Sequence, residues 1–193
     1  MLPVFLTLLT LVLAAPAPEP VSTCCAEPDQ GPLRVERRSW TMGTALSVAV
    51  EARDRPTGLA ATERALAEIE RYEGLLSTWD AATPLSRLNR VPPGSTVGPS
   101  TFPVELLELL AEVDALSRAT GGAFDATVGA LVDLWGLRTG GRTPATEALA
   151  RARPGWGAGS FEITPSAVRR VHPAAWIDAG GFGKGAALRA AAD

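Results

Sequence analysis

Between Trp176 and Gly185 a short apolar stretch, Trp176-Ile177-Asp178, runs into Ala179-Gly180-Gly181-Phe182-Gly183-Lys184-Gly185, which carries the only lysine of the chain. Glycine at this density permits positive φ and lets the backbone approach a ligand with no Cβ in the way. The segment is thereby constrained to a strand, a tight turn and a helix entered from Lys184. A compact ammonium at such a turn suits a phosphate or a carboxylate, so an anionic ligand is the first expectation. The plainer alternative is a glycine loop with a surface lysine.

Two nucleotide-binding patterns are excluded here. A Walker A loop requires a glycine five residues before its Gly-Lys pair and a hydroxyl after it, and those places hold Asp178 and Gly185. A Rossmann turn requires G-x-G-x-x-G, whereas Gly181, Gly183 and Gly185 give G-x-G-x-G.

Elsewhere the chain alternates strand and helix patterns. Residues 33–52 read as a strand pair or one long bent strand, broken at Met42-Gly43. Residues 56–76 predict a helix with Leu59, Leu66, Ile69, Tyr72 and Leu76 on its apolar face. A turn at Pro92-Pro93-Gly94 precedes a second helix, opened by Pro103, carrying Leu106, Leu109, Leu110, Val113 and Leu116, and stopped at Gly121-Gly122. Asp125 or Thr127 can cap a short helix over 128–135. After a loop at 138–143 and a short helix at 144–152, residues 161–163, 167–171 and 174–178 predict a meander of short strands.

Thr120-Gly121-Gly122-Ala123-Phe124-Asp125-Ala126-Thr127-Val128-Gly129, continuing through Leu134-Trp135-Gly136-Leu137, resembles together with the first segment the ApbE-like family of FAD:protein FMN transferases. Thr41-Met42-Gly43-Thr44, Leu76-Ser77-Thr78-Trp79 and Pro84-Leu85-Ser86-Arg87-Leu88-Asn89 fit the same pattern in the same order. The resemblance runs from Trp40 to the last residue. It implies an α+β, T-fold-like flavin transferase domain, here its N-terminal, FAD-binding part over residues 33–193. The family's other metal carboxylate, its hydroxyl ligand and a His-containing segment lie downstream in full-length members. The sequence at Asp193 is still helical, with no cap or breaker, so an incomplete domain is expected.

The resemblance also implies the chemistry. Its members use a divalent metal, usually Mg2+, to move the FMN half of FAD onto a threonine or serine of an acceptor flavoprotein, releasing AMP. Met42, Trp79, Ala123, Phe124, Asp125, Asp178 and Lys184 fall on FAD-contacting places, and Gly181 on a metal-contacting place where only its carbonyl oxygen is on offer. Each has a plainer reading. Trp79 can stack on a flavin or adenine ring or fill the core at a helix end. Met42 supplies packing and backbone, Asp125 can equally cap a helix, and Asp178, at the end of its strand, can accept from the flavin or cap a loop. Lys184 can pair with a phosphate, and acidic residues at that place in some members argue against a direct catalytic role. His172, before Pro173 and outside every matched motif, reads as a surface residue. Two rivals remain: an FAD pyrophosphatase yielding FMN and AMP, and a flavin-binding lipoprotein or fragment without turnover.

Residues 1–25 read as an export leader whose apolar run, Leu2 to Ala15, is too short to span a bilayer as a helix and is preceded by no Lys or Arg. Val21-Ser22-Thr23-Cys24 resembles a bacterial lipobox with an unusual Thr, so lipid attachment at Cys24 is expected ahead of plain secretion, with the protein on the periplasmic side of a bacterial membrane. Cys25 is the only other cysteine, and adjacent cysteines bridge poorly, so no structural disulfide is expected. Residues 26–32 form a polar linker. A formal net charge of −3, with no strongly basic run, excludes a nucleic-acid binder.

Overall fold

In the computed structural model, which describes residues 31–193, the first alternating stretch is a hairpin. β1 (Leu33–Thr41) and β2 (Thr44–Ala52) pair antiparallel, from Leu33 opposite Ala52 to Thr41 opposite Thr44. A two-residue connection matched to strand twist needs positive φ at both positions, and Met42 and Gly43 supply 49° and 70°. The leader with Cys24 and most of the linker expected at 26–32 lie outside the described residues.

α1 (Arg55–Leu76) begins where the Asp54 carboxylate accepts the Thr57 N–H at 2.8 Å, with proline in the first turn, where no intrahelical bond is forfeited. It packs against both hairpin strands and against α6 (Gly183–Ala192). The expected apolar face holds from Ile69 onward and fails before it. Gly58, Thr62 and Ala65 are buried, whereas Leu59 is exposed and Leu66 half-buried. Close approach to the hairpin is the reason, since a Cβ on Gly58 would lie 2.5 Å from Val35 Cγ2. Small residues therefore face the sheet there.

Next come α2 (Pro84–Leu88), β3 (Thr96–Val97), α3 (Val104–Ala119), α4 (Gly129–Leu134), α5 (Thr146–Ala152), β4 (Phe161–Thr164) and β5 (Ala167–Arg170). β5 is the middle strand of an antiparallel sheet in the order β3-β5-β4. The architecture is α+β. Its core joins Ile69, Tyr72 and Leu76 of α1 to Leu85, Leu106, Leu107, Leu110, Phe161, Val168 and Ile177. Leu85, Leu106, Leu107 and Leu110 are fully shielded, each such side chain contributing about 1.5–3 kcal/mol. Leu116, expected on the buried face of α3, is exposed. Among the described residues no helix is long and apolar enough to cross a membrane.

Two further expectations are corrected. Residues 174–178 form no strand of the meander, and Ala174 lies in a turn. Their hydrogen bonds go to an amide side chain and to a loop instead: Asn89 bonds both the N–H and the carbonyl of Ile177 at 2.8 Å, Gly129 N–H donates to the Trp176 carbonyl, and Asp178 N–H to that of Ala126. Residues 128 and 176 share only an isolated parallel bridge. Nor does Asp125 or Thr127 cap α4, whose first turn follows Val128 without a side-chain cap. Asp125 accepts the Thr127 N–H and hydroxyl, and the Thr127 hydroxyl oxygen accepts the Gly157 N–H.

Candidate functional site

The hairpin turn, the end of α1 and the glycine-rich turn meet around a cleft of about 480 Å³, lined by Met42, Gly43, Glu73, Leu76, Ser77, Thr78, Trp79, Asp178, Ala179, Gly180 and Lys184. Its volume lies in the range of small-molecule sites. Met42, Trp79, Asp178 and Lys184, spread over 142 positions of the chain, are brought to one place by the stacking of α6 on α1.

Each wall has a local cause. Glu73, one turn before the end of α1, accepts the Thr41 hydroxyl at 2.6 Å and the Met42 N–H at 3.0 Å. It thereby holds a non-glycine residue in left-handed backbone, a conformation retained where surrounding contacts over-determine it. The Met42 side chain rests over the start of α6, its Cε 3.4 Å from where a Cβ on Gly183 would stand. Glu73→Ala is expected to cost about 1–2 kcal/mol, the loss of a charged acceptor for two donors, and Thr41→Val less, as read by thermal unfolding. Equal stability of Glu73→Ala and the unsubstituted protein would show that the turn holds itself.

Asp178 stands at the head of the glycine turn and does not end a strand. One carboxylate oxygen accepts the Gly180 N–H at 2.8 Å and so caps the short 3-10 turn Ala179–Gly181. The other accepts from Arg138 at 2.7 Å. α6 then starts at Gly183 with no side-chain cap, leaving its first N–H groups and their positive dipole end beside Lys184. The segment leading to Asp178 is pinned by Arg170, which donates to the carbonyls of Val91, Pro173 and Ala175; burial pushes its guanidinium below the usual arginine value.

The remaining expected residues lie elsewhere. Phe124 is behind the glycine turn, its ring edge facing Gly181, where an added Cβ would lie 3.1 Å from Phe124 Cε2. Ala123 is exposed, and Asp125 lines a separate hollow beside Gly121, Gly122 and Gly157. His172 accepts the Ala174 N–H through Nδ1 at 3.1 Å and takes no part in the cleft. Among the described residues no three His, Cys, Asp or Glu side chains gather as a metal shell.

Glu73 and Arg138 escaped the sequence reading. Glu73 looks like one more acid on the solvated side of an amphipathic helix, and Arg138 like a loop cation. The loop is ordered by Arg142, which donates to the carbonyls of Asp133 and Leu134 at the end of α4, and by Leu137 N–H bonding to Val132. The only usable signal was that Arg138 directly follows the Leu134-Trp135-Gly136-Leu137 motif.

Residues 42–193 match the ApbE family. The FAD:protein FMN transferase of Chlamydia muridarum (strain MoPn / Nigg) is 30% identical over 122 residues, 62% of this chain and 38% of that protein. The FAD:protein FMN transferase of Klebsiella pneumoniae (strain 342) is 32% identical over 120 residues, 58% of this chain and 32% of that protein. Among solved structures, the apo form of Pseudomonas stutzeri flavinyl transferase ApbE superposes with a TM-score of 0.74 at 26% identity, covering 84% of this chain and 53% of that one. The flavin transferase ApbE from Vibrio cholerae, at 24% identity and a TM-score of 0.73, shares the fold. The chain thus spans about half the length of these solved structures and less of the curated relatives.

Proposed function

Because the chain belongs to the ApbE family, we propose that it supplies the FAD-holding part of an FAD:protein FMN transferase, which moves FMN onto a threonine or serine of an acceptor flavoprotein and releases AMP. The observation that carries this reading is the cleft itself, where an exposed indole, a capped glycine turn, an uncapped helix start and a lysine converge. These are the groups that a flavin dinucleotide requires. Trp79, 74% exposed, offers a ring face for stacking. Lys184 and the free N–H groups of α6 suit a diphosphate. Asp178 can accept from a neutral donor of the flavin half. In the reaction, the acceptor hydroxyl attacks the FMN-side phosphorus as the bond to the AMP oxygen breaks, the hydroxyl proton leaving to a base outside the residues assigned here.

The described residues do not by themselves fit a metal site: Gly181 has only its carbonyl, and the two carboxylates of the cleft, Asp178 and Glu73, are engaged by protein donors. Mg2+ dependence is therefore proposed for the complete transferase and not for this cleft alone. The test uses FAD, Mg2+ and an acceptor flavoprotein with the full-length protein. Transfer leaves denaturation-resistant flavin fluorescence on the acceptor together with AMP, and chelation stops it. Free FMN with AMP would establish the hydrolytic reading instead, and tight FAD uptake without AMP the binding one.

Export is proposed from the leader alone, with lipid attachment at Cys24 holding the protein to the periplasmic side of a bacterial membrane. Mass spectrometry of membrane-extracted protein is expected to show an acylated N-terminal Cys24. An unmodified N-terminus near Ala15 in the soluble fraction would exclude the anchor.

A further inference from the structure

Arg138 does not itself line the cleft but stands behind three residues that do, Thr78, Trp79 and Asp178. Its guanidinium carbon lies over two indoles, 4.7 Å from the Trp79 ring centroid and 5.5 Å from that of Trp176. Its guanidinium donates to the carbonyl and hydroxyl of Thr78 and, at 2.7 Å, to Asp178. The side chains of the ion pair are only 18% and 15% exposed, so their charges are screened less than at an open surface.

Two consequences follow from this placement. The inner face of Trp79 is covered by the guanidinium, which leaves the outer face for a ligand ring. Asp178 borders the same cleft as Lys184, and without Arg138 an anion drawn to Lys184 would meet an uncompensated carboxylate. Like charges at a few ångströms in a partly dry site repel strongly.

We propose that Arg138 is a positioning residue that fits this cleft to a diphosphate-bearing flavin nucleotide, by neutralising Asp178 and backing the Trp79 ring. The inference rests on the flavin reading above and adds to it the group that sets the charge of the cleft. It is distinct from a loop-holding role, because it acts through the carboxylate.

FAD is titrated, by flavin fluorescence, against the full-length protein and its Arg138→Gln, Arg138→Lys and Arg138→Gln/Asp178→Asn variants, each checked by thermal unfolding. Arg138→Gln is expected to weaken FAD binding about tenfold, the worth of one charged hydrogen-bonded partner. Arg138→Lys, which keeps the charge and loses the planar fork, is expected to stay within about threefold of the unsubstituted protein. The double variant, with the stranded carboxylate removed, is expected to bind more tightly than Arg138→Gln. A double variant no better than the single one would reduce Arg138 to a loop anchor and overturn the proposal, as would unchanged affinity in Arg138→Gln. Should Arg138→Gln fail to fold, Arg138→Lys decides, since a tenfold loss with the charge retained contradicts neutralisation. No FAD uptake by the unsubstituted protein would overturn the flavin reading itself, and this inference with it.

Discussion

Gly129→Val lowers the melting temperature by about 6–12 °C, the result expected of a cost near 3 kcal/mol in a chain of this size. An added Cβ would lie 2.6 Å from Trp176 Cγ and 2.8 Å from both its Cδ1 and its carbonyl oxygen. The oxygen belongs to the backbone and accepts the Gly129 N–H at 3.0 Å, so no change of rotamer relieves the clash. The segments carrying residues 128 and 176 must separate, and that disturbs the approach to Asp178 two residues on. FAD uptake is expected to fall with stability. Thermal unfolding followed by circular dichroism checks the first part, and a melting temperature equal to that of the unsubstituted protein would show that the contact is looser than described.

Asp178→Ala is expected to cost tenfold or more in FAD affinity, about 1.5–3 kcal/mol, and to depress transfer with it. The substitution removes the cap of the glycine turn and the acceptor proposed for the flavin half, and it strands the partly buried Arg138 guanidinium on Thr78 alone. His172→Ala is the contrast. It deletes one acceptor for the Ala174 N–H outside the cleft and is expected to leave affinity within about threefold. Flavin fluorescence titration and AMP release in the full-length protein measure both effects. Normal affinity in Asp178→Ala would mean that the flavin lies elsewhere, and the hollow beside Asp125 would be the next place to look.

Local rules carried much of the architecture from sequence alone. The break at Met42-Gly43, the helical periodicity of residues 56–76 and 104–119, the glycine stop after α3 and the turn-to-helix entry around Lys184 all depend on neighbours within a turn or two. The order of the motifs along the chain also marks the family. What tertiary structure decided is whatever depends on partners far along the chain. Periodicity ranked Leu59 above Gly58, Thr62 and Ala65, but the close hairpin admits only the small side chains. Residues 174–178 have strand-like composition, but their backbone is claimed by Asn89 and the loop at 126–129. Glu73 reaches Met42 across 31 positions and Arg138 reaches Asp178 across 40. A charged side chain in sequence looks like solvated surface whether or not its partner waits across the fold, because burial and pairing are set by how helices and turns stack, and no local pattern records that stacking.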